Sequence, residues 1–226
     1  MAAPIGIYLS VPVAGFRVPH AREYFETLPV PPPSTVYGML LSLVGEENRC
    51  RHRGAELAIA ILSQPALSVV LRTTWRIKDK KQGPGMGSNR RPDFQELLSG
   101  LRLAIWLRPG QEAGETSSLF QRVGDVLANP AVSRRFGALA LGESTHLVDE
   151  LRRLRPDDLT NARPLLADPD GDLSLTIWPN HVGSKGTAWG QYRLAESLLG
   201  VEPPERSWIT ICRAEQAGSL FPKGVP

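Results

Sequence analysis

The sequence predicts an α+β protein. Two amphipathic helical stripes are separated by several strand-like runs, and 21 glycines and 20 prolines among 226 residues suit a loop-rich mixed fold better than a helical bundle. The third observation is a basic stretch from Arg72 to Arg91 that interrupts the strands and has a glycine-rich centre.

Taken in order, Ile5-Gly-Ile-Tyr-Leu-Ser-Val-Pro12 reads as a first strand ended by its proline. A loop follows, Ala14-Gly-Phe-Arg-Val-Pro-His20, with Arg17 alone between apolar neighbours. Pro31 to Pro33 cannot lie inside a helix, since each fixes φ and lacks an N–H, so they form a stiff extended approach. Ser34 then offers an N-cap hydroxyl, paired with that of Thr35. Val36, Met39, Leu40, Leu43 and Val44 repeat at helical spacing, and Gly45 is a natural stop. Such a helix start accepts anions, phosphate included, or is simply a capped core helix; the spacing leaves both open.

Glu47–Arg53 is a polar connector, Glu56–Leu62 a buried strand and Ala66–Lys78 a long alternating one. Between Arg72 and Arg91 stand seven cations, Arg72, Arg76, Lys78, Lys80, Lys81, Arg90 and Arg91, against one acid, Asp79. Gly83-Pro-Gly-Met-Gly-Ser88 lies in the middle, so the reading is a long hairpin arm with a flexible basic tip. Phosphates need cations, and Trp75 and Met86 add stacking or wedge groups, which favours nucleic acid over a merely solvated hairpin. Arg17, Arg134 and Arg135 are further candidate contacts.

Leu101–Leu107 is a strand, and Leu119, Phe120, Val123, Val126 and Leu127 mark a second helix stopped by Asn129-Pro130. Strand, helix, strand, strand, strand, helix, with a final strand near Ala138–Leu141, resembles a ferredoxin-like βαββαβ unit carrying an inserted hairpin arm at about 72–92. We place this domain at residues 1–142. Residues 143–226 form a small, irregular, β-rich C-terminal extension with some helix. There Ser144 caps a helix bearing Leu147, Val148, Leu151 and Leu154, ended by Pro156. Asp168–Asp172 is a hairpin turn before a strand at Leu173–Trp178. Trp189–Leu199 is helical, closed by Gly200, and Ser207–Arg213 is a last strand before a frayed tail.

The net charge of +3 and a pI near 9.1 are only mildly basic. Cys50 and Cys212 are too few for a disulfide framework, so a reduced, cytoplasmic setting is expected. No apolar run approaches the roughly 18 residues of a membrane span, and Met1–Ser10 lacks the basic start of a signal peptide.

Enzyme-like motifs fail in detail. Gly142-Glu-Ser-Thr-His146 lacks the closing glycine of a nucleophile elbow. Asp168-Pro-Asp-Gly-Asp172 has its glycine misplaced for a calcium loop. Gly83, Gly85 and Gly87 do not turn a strand into a helix, and no phosphate-binding P-loop occurs. Cys50 and His52 have no second ligand pair at zinc spacing, so neither metal nor cofactor is expected. His20, Tyr24 and Lys78 offer acid–base and cationic groups for metal-independent RNA cleavage through a 2′-hydroxyl, but nothing in their spacing requires it.

Gly15-Phe-Arg-Val-Pro19, followed by Pro31-Pro-Pro-Ser-Thr-Val-Tyr-Gly-Met-Leu40 and Val44-Gly45, resembles the N-terminal signature of CRISPR-associated family five. Asn89-Arg-Arg-Pro-Asp-Phe-Gln-Glu-Leu-Leu98 and Leu141-Gly-Glu-Ser-Thr-His146 are also similar to family segments, the likeness being to the DevS-like subgroup of type I-B-like systems. The resemblance implies a repeat-associated (RAMP) fold with an RRM-like domain and a thumb. It implies a non-catalytic subunit of a type I Cascade that caps the crRNA 5′ handle. Expected partners are the family-seven backbone subunit, the family-eight large subunit and, in the assembled complex, target DNA, with no membrane. Some such complexes are coupled to transposons. One subgroup cleaves RNA, and its catalytic set does not align onto His20, Tyr24 or Lys78. The expected RNA contacts are the arm residues, Trp75 and Met86 included, with Arg17, His20, Ser34, Thr35, Arg134, Arg135 and Ser144. A generic RRM-like interaction module is the remaining alternative.

Overall fold

The computed structural model describes residues 3–21, 24–112, 117–135, 137–180, 186–196 and 201–212. The first strand, β1 (Ile5–Ala14), buries Ile7, Leu9 and Val11 on one face and Tyr8 on the other, as a strand covered on both sides must. It runs past Pro12 rather than ending there, with Val11 opposite Leu101 and Val13 opposite Ser99. Pro12 is tolerated because the neighbouring strand on its far side pairs with residues 7–10 only, which leaves Pro12 at an edge.

A two-residue strand that the sequence pattern does not reveal, β2 (Tyr24–Phe25), leads into helix α1 (Pro33–Leu43). Pro32, not Ser34, is the N-cap, and Pro33 opens the helix, a position that suits its fixed φ and missing donor. Ser34 makes no capping bond. The stripe is as read, with Val36, Met39, Leu40 and Leu43 buried, and Gly45 follows the end of the helix at a φ of +66°.

Next come β3 (Glu56–Ile61), β4 (Ala66–Trp75), β5 (Arg90–Arg108) and helix α2 (Leu119–Ala128). Ser118 and Gln121 form a reciprocal capping box on α2, and Leu119, Val123 and Val126 point into the core.

The strand that completes the first unit is β6 (Glu150–Arg153), not Ala138–Leu141, where a single bridge joins Ala140 to Leu147. The helix read after Ser144 is absent for the same reason: β6 pairs with β1, Leu151 opposite Leu9 and Arg153 opposite Ile7, and this ladder overrides a helical spacing of leucines.

Beyond β6 lie β7 (Arg163–Ala167), β8 (Leu173–Trp178), β9 (Ala188–Leu194) and β10 (Ile209–Thr210). Asp168–Asp172 is a turn, with Gly171 N–H bonded to the Asp168 carbonyl, but it does not close a hairpin, because β7 and β8 both pair with β9. Trp189–Leu194 is strand rather than helix; Ala188, Gly190 and Tyr192 are buried while Trp189, Gln191 and Arg193 are exposed, a period of two. The closing Gly200, Arg213 and the tail lie outside the described residues.

The main sheet runs β6-β1-β5-β3-β7-β9-β8. With α1 after β1 and α2 after β5, its first four strands have the β-α-β-β-α-β chain order read from the sequence. The helices and one sheet face enclose the principal core, and Tyr37 of α1 meets Trp178 of β8. On the opposite face, Tyr8, Ala58, Ala60, Ala104 and Trp106 form a thinner layer, partly covered by Leu154, Leu159 and Trp208.

Ser118→Ala removes the bond from Gln121 N–H to the Ser118 hydroxyl, leaving only that from the Ser118 backbone N–H to the Gln121 side chain, and is expected to cost about 1 kcal/mol. Ser34→Ala is expected to stay within about 0.5 kcal/mol, since no cap is lost. Urea unfolding followed by tryptophan fluorescence measures both.

Candidate nucleic-acid interface

The arm is the ladder between β4 and the first half of β5, in register from Ala66 opposite Ser99 to Trp75 opposite Arg90. It stands clear of the core, and period two gives it unlike faces. One face carries Leu67, Val69, Leu71 and Trp75, all exposed, with Phe94 across from Leu71. The other carries Arg72 beside the buried Asp93 and Gln95.

The tip is tied together rather than loose. Asn89 is fully buried; its amide oxygen accepts from Lys78 N–H (2.7 Å) and Asp79 N–H (2.8 Å), and its amide nitrogen donates to the carbonyls of Asp79 (2.8 Å) and Gln82 (2.8 Å). One side chain thus replaces the backbone partners that a glycine-rich loop lacks. Gly85, at φ +72°, lies against the Trp75 indole, where a Cβ would come within 2.6 Å of the ring. Trp75 remains 69% exposed and Met86 65% exposed.

The seven arm cations divide into two groups. Arg72 bonds the Gln95 side chain and, at 2.9 Å, Glu143. Arg91 Nε lies 2.6 Å from the buried Asp93 carboxylate, an ion pair by distance although neither Asp93 oxygen has an aligned hydrogen bond. Arg76, Lys78, Lys80, Lys81 and Arg90 are exposed and form no ion pair among the described residues. Five cations outside any ion pair among the described residues therefore surround the tip, Arg76 donating at 3.5 Å to the Ser88 carbonyl.

At the base of the arm, two segments that carry the family likeness meet. His146 is buried, and its Nδ1 accepts from the backbone N–H groups of Gly15 (3.2 Å) and Glu143 (3.3 Å). An accepting Nδ1 is unprotonated, so the neutral ring carries its hydrogen on Nε2. Burial, with Arg72 nearby, lowers the His146 pKa against the opposing pull of Glu143. Glu143 in turn joins Arg72 and Gln95 (2.9 Å), and these contacts hold its carboxyl below the usual range despite burial. Ser144 is exposed on the same turn.

Ser34 and Thr35 line a separate cleft of about 420 Å³ with Gly38, Arg49, Gly142 and Trp178. The Thr35 and Val36 N–H groups bond the Pro32 carbonyl and Pro33 has no donor, so this helix start offers fewer amides to an anion than an ordinary one. Arg49 is engaged, stacked 4.5 Å over the Trp178 ring and donating to the Pro179 carbonyl.

Arg17 lies over the Phe25 ring and donates to the Ala21 carbonyl, and His20 is exposed on the loop between them. Arg134 and Arg135 are exposed in the segment after α2. Tyr24 is held beside Phe94, which faces Leu71, whereas Lys78 lies beyond Trp75, about 13 Å or more up the strand at ~3.3 Å per residue. His20, Tyr24 and Lys78 are thus not brought together. Sequence reasoning missed Asn89, Glu143, Gln95 and His146 as the residues that order the arm. A lone Asn closing a glycine-rich loop was the available signal for the first.

Because folded His146 holds a proton more weakly than a free imidazole, its contribution to stability is complete above the unfolded value of 6.5 and is lost as pH falls below it. Between about pH 7 and pH 5, wild type is expected to lose more melting temperature than His146→Gln. Thermal melts of both proteins across that window check this, and parallel slopes refute it.

No protein-family model matches the chain. A curated protein of Myxococcus xanthus named CRISPR-associated protein Cas5 is 43% identical over 217 residues, which cover 95% of this chain and all of that protein. Among solved structures, a chain of a CRISPR RNA-guided surveillance complex has a TM-score of 0.59, covering 91% of this chain and 95% of that one at 15% identity. A Cas protein crystal structure has a TM-score of 0.50, covering 89% and 100% at 15% identity. At that identity the two structures speak for the fold.

Proposed function

The chain belongs to the CRISPR-associated Cas5 family, and on that premise we propose that it is the non-catalytic RNA-binding subunit of a type I, I-B-like effector complex, capping the crRNA 5′ handle. The observation that carries this reading is the ordered arm tip, where five cations without acidic partners among the described residues surround an exposed Trp75 and Met86. A single-stranded handle has splayed bases that stack on an aromatic face and phosphates that cations neutralise. The clasp of Arg72, Gln95, Glu143 and His146 sets the angle at which the arm leaves the sheet, so it positions the contacts without making them.

In the assembled complex the chain meets a family-seven backbone subunit and a family-eight large subunit, and through them target DNA. The exposed apolar face of the arm supports burial against a protein neighbour. The separation of Tyr24 from Lys78 supports a binding role over cleavage, since general acid–base chemistry needs its groups within hydrogen-bond reach of one substrate. No helix among the described residues is long and apolar enough to cross a membrane.

Arg76→Ala with Arg90→Ala is expected to weaken binding of handle-bearing RNA and to flatten its salt dependence by about 0.7 in log–log slope per lost phosphate contact. Anisotropy titrations over a range of KCl concentrations measure this, and an unchanged slope removes the arm from the interface. Labelled repeat RNA incubated without metal is expected to stay intact. A 2′,3′-cyclic phosphate product that disappears in His20→Ala would instead make the chain a nuclease.

A further inference from the structure

Strand β6 ends the main sheet, pairing with β1 on one side and with no strand on the other among the described residues. Between β6 and α2 opens a cleft of about 600 Å³. Its floor is aliphatic, built from Leu43, Val126, Leu127, Val148 and Leu151. Arg135, Arg153 and Arg155 stand around it, with Asp149 as the one acid among the described lining residues.

These arginines differ from their neighbour Arg152. Arg152 is fully engaged: it forks onto Asp158 (2.7 and 2.8 Å), bonds Glu150 (2.8 Å) and lies 4.0 Å from the Tyr8 ring centre. Arg153 and Arg155 make no ion pair among the described residues, and Arg135 reaches only the Gly137 carbonyl, at 3.4 Å. Charges on an edge strand often serve only to repel other strands. That accounts for Arg153 but not for an aliphatic cleft beside the edge, whose described lining holds three arginines outside any ion pair, Arg155 attracted only at longer range to Asp158, and one acid.

We infer that the β6 edge and this cleft form a docking surface for an extended, acidic segment of a partner protein. An open edge presents N–H and C=O groups that an added strand satisfies, here with one acceptor, the Arg153 carbonyl, shared with the Arg152 guanidinium at 3.1 Å, and alternate side chains of that strand point the same way. One set fills the aliphatic floor, while carboxylates on the segment meet Arg135, Arg153 and Arg155. Nucleic acid fits less well, since unstacked bases seek aromatic platforms and none of the described lining residues is aromatic. The surface is also separate from the arm: β6 pairs with residues 7–10 of β1, whereas the arm joins the sheet beside residues 13 and 14. It therefore does not depend on the RNA-binding role.

The test uses the full chain with three fluorescein-labelled probes: a peptide of alternating Glu and Val, its Lys/Val counterpart, and oligouridine. The acidic peptide is expected to bind saturably, the basic one not to bind, and Arg153→Glu with Arg155→Glu to weaken the acidic peptide about tenfold. Both positions are exposed, so the fold survives; matching circular dichroism melts confirm it, and Arg153→Glu alone is a second variant read the same way. The amides of Leu151 and Arg153, which face away from β1, slow in hydrogen exchange when the peptide is bound, as strand addition requires. Binding of handle-bearing RNA by the double variant is unchanged, so failure here and failure of the RNA reading are told apart. Absent or charge-independent peptide binding overturns the inference. So does a variant that loses oligouridine but keeps the peptide, which makes the cleft a nucleic-acid surface.

Discussion

The backbone ladder of β5 runs from Arg90 to Arg108 and pairs with four strands: β1 and β3 along its second half, β4 and β2 along its first. At ~3.3 Å per residue it spans about 60 Å, more than a domain of this size needs for its core. Leu103 to Leu107 are all buried, as befits a central strand covered on both faces. Gly100, at φ +75°, marks the point where β5 passes from core to arm, a backbone geometry that other residues rarely adopt. Because one strand serves both regions, the arm is anchored by the same hydrogen bonds that hold the sheet. The polar clasp at its base then fixes its direction.

The legible parts of the sequence were those where local pattern and tertiary demand agree. Helix α2 has a clean stripe and a proline stop, and β3 and β4 have strand-length apolar or alternating runs. Misreadings arose where pairing overrules spacing. Leu147, Val148, Leu151 and Leu154 suit a helix, yet the free flank of β1 draws Glu150–Arg153 into a strand, and no local signal announces that flank. In Ala188–Leu194 the alternation was present but weak, because two of the three inward positions are Ala and Gly, which hardly register as apolar. The Ser34 cap failed by two residues because a proline run enters a helix directly, its first residue needing no donor.

The charge count of the arm was visible in the sequence, while its division was not. Seven cations look equivalent on the page of residues, but Arg72 and Arg91 are held by Glu143 and Asp93. Glu143 lies 71 positions from Arg72, beyond any local pattern. The order of the tip was hidden too, since glycine and proline imply looseness until Asn89 is seen to gather five backbone groups around one amide. Long-range polar contacts convert a basic stretch into a shaped surface, with anchored charges at the base and available ones at the end.

The period of two in β4 carries a cost for the isolated chain. Ala66-Leu-Ser-Val-Val-Leu71 is uncharged, proline-free and rich in strand formers, and it lies at the edge of the arm with Leu67, Val69 and Leu71 in solvent. Such a segment templates its own stacking into aggregates unless flanking charges interrupt it. Arg72, Arg76 and Lys78 sit at its boundary and act as gatekeepers against self-association. The arm's cations therefore serve the colloidal stability of the chain, and their positions are constrained by what it must avoid at high concentration.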